Sequence, residues 1–170
     1  MSTSKITRMA LLVAIALVVF IIEARIPILL PIPGVKLGLA NVVTLYAIFT
    51  LGRKEAFCIL ISRIILGSIF SGRVTTFLYS LVGGMICYII MSLIKNRVNN
   101  KQIWICSILG AMGHSCGQIF MAVILTNTVE VIFYLPILLI ISIIAGAITG
   151  VIAQSIMTRL SKITRLQKYI

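Results

Sequence analysis

A single arginine interrupts the apolar run Ile59-Leu60-Ile61-Ser62-Arg63-Ile64-Ile65-Leu66, and a second run holds His114 and Gln118 four residues apart. A cation among such neighbours must meet an anion, a carbonyl or a polar cavity, because an unpaired buried charge is costly. The planar fork of an arginine suits a carboxylate or a phosphate. The competing reading is an arginine paired with carbonyls, which fixes helix packing. On a helix, residues four apart share a face, so His114 and Gln118 point the same way. A lone histidine there reads either as a packing hydrogen-bonder or as a ligand contact. Lys36 and Asn41 stand at the start of another apolar run, and Arg73 follows Ser71-Gly72. Lys36, Asn41, Arg63, Arg73, His114 and Gln118 form the candidate substrate-binding set. With three cations and no acid among the six, it suits an anionic or multiply hydrogen-bonding ligand entering a cavity.

Other chemistry lacks its residues. The sequence has no Walker phosphate loop, so it carries no ATP-hydrolysing site of that kind. It has no aspartate, hence no aspartate pair to hold magnesium against a diphosphate. No Ser/His/acid or Cys/His set has workable spacing, and an enzyme active site is not supported. Cys58, Cys87, Cys106 and Cys116 form no CxxC pair and read as small buried hydrophobes. His114 and Cys116 lie on diverging helix faces with no third ligand, so no metal and no cofactor is expected.

These residues need a scaffold, and composition says which. Hydrophobic residues make up 61% of the 170, charged ones 11%, and mean hydropathy is +1.19. A soluble domain of this size must turn much of its surface to water; a bilayer accepts apolar side chains on the outside. The sequence predicts one all-α membrane domain over 1–170, a bundle of six transmembrane helices at about 6–24, 36–51, 55–71, 74–94, 103–125 and 132–158. The first apolar run lacks a small-residue cleavage pattern and reads as a retained helix. A proline-rich connector, Ile26-Pro27-Ile28-Leu29-Leu30-Pro31-Ile32-Pro33-Gly34, separates the first two helices. Pro136 is expected to interrupt the sixth.

Charge orients the bundle. There are 15 Lys and Arg against three acids, a net charge of +12. The basic residues lie mostly between apolar runs, which fits topology better than a nucleic-acid patch. With both termini in the cytoplasm, eleven cations fall inside and three (Arg25, Lys36, Arg73) outside, with Arg63 within a helix. That bias predicts a multi-pass protein of the cytoplasmic membrane. It also sets the candidate site in the outer half of the bundle. Glu23 and Arg25 are read as closing the outer end of helix 1, and Glu55 and Glu130 as belonging to helix ends. Ala10/Ala14, Gly113/Gly117 and Gly146/Gly150 each put two small residues on one helix face, where backbones can approach closely. The glycine pairs read as packing within the chain, and the alanine pair as a face for a partner protein.

Two segments carry a resemblance: Leu30-Pro31-Ile32-Pro33-Gly34-Val35-Lys36-Leu37-Gly38-Leu39-Ala40-Asn41-Val42-Val43, and Ser62-Arg63-Ile64-Ile65-Leu66-Gly67-Ser68 followed by Ser71-Gly72. Both resemble the Gx transporter family, whose members are commonly labelled heptaprenyl diphosphate synthase component I. That family is similar to the S components of energy-coupling factor transporters. The resemblance implies a six-helix fold with an outward cavity gated by the loop between helices 1 and 2. It also implies docking on a transmembrane coupling protein that carries two cytoplasmic ATPases, with Ala10 and Ala14 as the docking face. The alternative it implies is a non-catalytic membrane subunit beside a soluble prenyl synthase. If the alanine face docks a coupling protein, Ala10→Trp and Ala14→Trp block co-purification with it, and intact co-purification argues against that face.

Overall fold

The computed structural model describes residues 3–23, 25, 36, 38–99 and 102–166, with side chains as far as Leu160. The proline-rich connector lies outside the described residues. Six α-helices follow in order: α1 (Thr3–Glu23), α2 (Asn41–Thr50), α3 (Arg53–Ser71), α4 (Val74–Ile94), α5 (Ile103–Thr126) and α6 (Leu135–Leu166). Short 3-10 segments at Lys95–Arg97 and Val129–Tyr134 follow α4 and precede α6. The described chain is thus all-α. Four helical segments, Thr3–Glu23, Val74–Arg97, Ile103–Thr126 and Val129–Leu160, are long and apolar enough to cross a membrane.

Helix ends fall where the residue chemistry demands. Gly72, at φ +62°, closes α3, and its N–H donates to Ser68 O and Ile69 O at 3.0 and 3.3 Å. Asn127, at φ +51°, ends α5 in the same left-handed conformation, which asparagine tolerates better than most residues. Pro136 does not interrupt α6. It sits in the first turn, where its missing N–H would have no helical partner anyway.

The second helix differs most from expectation. It begins at Asn41 instead of 36, because residues 38–41 form a turn. Gly38 has φ +77°, and Asn41 N–H donates to Gly38 O at 2.9 Å. Ten residues of helix span about 15 Å, half a hydrocarbon core. α2 is therefore a buried central rod, not a full-length apolar span. Val43, Leu45, Ala47 and Ile48 are buried in one core with Ala16 of α1, Ile59 of α3, Met91 of α4, Cys106 of α5 and Ala153 of α6. Lys95 Nζ donates to Ile48 O at 2.6 Å, satisfying a carbonyl near the C-terminal end of α2.

Around this rod the helices sort into close and loose neighbours. α5 packs tightly between α4 and α6, and the glycines explain how. A Cβ on Gly117 would sit 2.9 Å from Gly83 Cα; one on Gly146 would sit 2.8 Å from Ile108 Cα, and one on Gly150 2.6 Å from Trp104 Cα. Ser115 and Ser142 hydroxyls bond across α5 and α6, as do those of Ser107 and Thr149. α1 lies against α3 and α2 and buries only Ala16, Phe20 and Glu23. Ala10 and Ala14 are exposed. Leu11, Ile15, Val18 and Ile22 of α1 and Ile140, Ile144, Ile148 and Val151 of α6 also face outward, an apolar surface that suits lipid.

The α5/α6 contact predicts that Gly150→Ala destabilises the protein by about 1–3 kcal/mol, because its Cβ meets backbone that cannot yield. The unfolding midpoint in detergent checks this; an unchanged midpoint would contradict so close an approach.

Candidate functional site

Five elements bring polar side chains to one place. Arg63 projects from the middle of α3 and is 4% exposed. Its Nη2 donates to Asn41 Oδ1 at 3.1 Å, across from the first residue of α2. His114 and Gln118 project from α5 on the same face, 4% and 1% exposed. Glu23 at the end of α1 is also buried, and its Oε1 accepts a hydrogen bond from Gly38 N–H at 2.5 Å. Lys36 Nζ stands 3.3 Å from the centroid of the Phe20 ring, within cation–π range.

Glycines allow these groups to converge. On α4, a Cβ at Gly83 would lie 3.0 Å from His114 Nδ1, and one at Gly84 3.8 Å from Arg63 Nη2. In the turn before α2, a Cβ at Gly38 would lie 2.9 Å from both Asn41 Nδ2 and His114 Cδ2. Only a residue without a side chain lets that turn rest directly on the cluster, and its positive φ favours glycine for a second reason.

The cluster is not self-sufficient. Arg63 Nε, Asn41 Nδ2 and Gln118 Oε1 are buried without a hydrogen-bond partner among the described residues. A buried polar atom left unpaired costs about 1–3 kcal/mol, and native proteins hold few of them. The two open donors lie in one region, since Arg63 and Asn41 are bonded to each other. Glu23 adds a carboxylate in the field of Arg63 and Lys36, yet it forms a direct ion pair with neither among the described residues. Between these groups lies a cavity of about 10 Å³ lined by Phe20, Glu23, Lys36, Gly38, Arg63, Ile64, Ser80 and His114. That is room for about one water. Lys36 and Gly38, from the stretch before α2, contribute to the lining of the cavity.

Of the sequence-predicted residues, Lys36, Arg63 and His114 line the cavity, Asn41 bonds Arg63, and Gln118 lies one turn along α5 from His114. Arg73 lies apart: it is exposed at the N-cap of α4 and does not line the cavity. Sequence reasoning missed Phe20, Glu23, Gly38, Ser80 and the glycines of α4. Glu23 gave a usable signal, because an acid seven residues beyond Ala16 returns to the buried face of α1.

A second hollow opens at the other end of the bundle, between the start of α1 and the ends of α2 and α6. It encloses about 630 Å³, with Leu11, Leu12, Phe49 and Met157 in its wall and Arg8 beside them. Among the described residues, no group of three His, Cys, Asp or Glu is arranged to hold a metal ion.

A family model described as heptaprenyl diphosphate synthase component I matches residues 12–156, which include every residue named above for the two hollows except Arg8, Leu11 and Met157. No curated protein and no solved structure shows a significant match.

Proposed function

The chain belongs to the heptaprenyl diphosphate synthase component I family, and from its buried polar cluster we propose that it is a substrate-binding membrane subunit. In this reading six helices cross the cytoplasmic membrane with both termini inside. α3 crosses despite Arg63 because Asn41, Glu23 and the cavity receive the charge, and α2 crosses jointly with the segment before it. The site then faces outward, beneath the segment joining α1 to α2. It takes up a small anionic or polar micronutrient or precursor. Separate ATPase partners, docked through a membrane coupling protein on the Ala10/Ala14 face, drive the rearrangement that releases the ligand inward.

The observation that carries this reading is the pair of unpaired, buried donors on Asn41 and Arg63, side chains bonded to each other. A purely structural cluster would have paired them, because each unpaired atom lowers stability. A ligand enters when the turn at Gly38 moves away from α1, to which Glu23 holds it through the Gly38 and Leu39 backbone and Lys36 through the Phe20 ring.

The family description favours a second reading, a non-catalytic membrane component of heptaprenyl diphosphate synthase that works beside a catalytic subunit. For that role the larger hollow is the relevant one. Its 630 Å³ falls within the range of about 300–1,000 Å³ typical of small-molecule sites, and its apolar wall beside Arg8 suits an isoprenoid diphosphate.

Native mass spectrometry of the detergent-purified protein tests the first reading. The wild type is expected to carry a small molecule that Arg63→Ala loses while keeping the same elution volume and helical content. Retention of the same molecule by a folded Arg63→Ala protein would remove Arg63 from the site. Recovery of ATPases with the tagged chain supports transport, and recovery of a prenyl synthase supports the second reading.

A further inference from the structure

Glu23 offsets the charge of Arg63 from a distance, yet an acid is an unexpected group in a site for anions. It is an acid, 2% exposed, among Lys36 and Arg63. If it served only to neutralise Arg63, a direct ion pair would be the effective geometry, and none forms among the described residues. Its oxygen instead takes the Gly38 N–H, a backbone donor of the kind that recognises a carboxylate. Around it remain the unpaired donors Arg63 Nε and Asn41 Nδ2. The free space beside it, about 10 Å³, adds only about one water to the volume of the carboxyl group itself.

We propose that the Glu23 carboxylate is an internal stand-in for the ligand's own, so that the site takes a small monocarboxylate that displaces Glu23 from the Gly38 N–H and fills the field of Lys36 and Arg63. This rests on the reading that the polar cluster is a ligand site, and it names the ligand class. The carboxyl group of Glu23 leaves on displacement a space that another planar carboxylate fills, and the turn at Gly38 moves to admit the body attached to it. Phe20 and Ile64, both lining the cavity, face the ligand's apolar or aromatic body. Displacement also frees the turn at Gly38 from α1, so that binding and loosening of the cover are the same event. Glu23 thereby sets affinity by competition: an incoming carboxylate must outcompete one already tethered to the chain.

Benzoate and inorganic phosphate, titrated against the thermal unfolding of the full-length protein in detergent at constant ionic strength, test the proposal. Glu23→Gln keeps the shape and an acceptor for Gly38 but removes the competing charge. Its half-saturating benzoate concentration is expected to be at least tenfold lower than that of the wild type. The double variant Glu23→Gln/Arg63→Ala is expected to lose the response, and phosphate to shift none of the three. Equal benzoate affinity in wild type and Glu23→Gln, no benzoate response in Glu23→Gln, or a preference for phosphate would each overturn the proposal. Glu23→Ala gives an independent readout by emptying the space: acetate raises its unfolding midpoint where chloride does not, and an acetate effect no larger than chloride's counts against the proposal. These outcomes are separate from ligand carriage by the wild type, so a failure of the carboxylate assignment leaves the binding reading open to its own test.

Discussion

Everything in this molecule is arranged around one guanidinium buried where apolar side chains prevail. A charge at such depth costs several kcal/mol unless it is met, and the meeting is organised by α2. The helix starts at Asn41 because the chain turns at Gly38, and that start sets Asn41 Oδ1 against Arg63 Nη2. A helix begun five residues earlier would carry Asn41 a turn further in and would leave no turn to cover the site. The shortness of α2 and the burial of Arg63 are therefore one fact seen from two sides.

The rest of the bundle divides between holding that arrangement and permitting it to change. α4, α5 and α6 are locked by glycine contacts at backbone distance and by hydroxyl pairs between α5 and α6, and they present His114 and Gln118 on a rigid wall. α1 buries a narrower face and ends at Glu23, whose bond to Gly38 ties it to the cover. A tightly packed wall facing a turn tied mainly through Glu23 is the arrangement on which the proposed binding site rests.

Much of this was legible in the sequence, for reasons that differ residue by residue. The all-α class follows from composition alone, and the caps at Gly72 and Asn127 from residue type. Arg63, His114 and Gln118 stood out because polar side chains are expensive in apolar helices, and the structure gathers them. Arg73 stood out for its charge only; placed at a helix start, it stays in solvent. Pro136 looked like an interruption, but its effect depends on its place within a helix, and three residues decide the difference. The start of α2 differs from expectation because the left-handed turn at Gly38 leaves no trace in the sequence beyond the glycine itself. Glu23 does close α1, as its place in the sequence implies, but sequence distance cannot show that the turn at Gly38 folds back upon it.

The central claim is that the open hydrogen-bonding atoms around Arg63 exist for a ligand. An experimental structure of the protein purified without denaturation from its own membrane, determined at a resolution that separates water from a larger molecule, tests this most directly. The account predicts non-protein density larger than water in contact with Arg63 Nε and Asn41 Nδ2, with Gly38 moved away from Glu23. A cluster whose open atoms are satisfied entirely by the chain and ordered water, with the Glu23–Gly38 bond intact in every conformation observed, would contradict it.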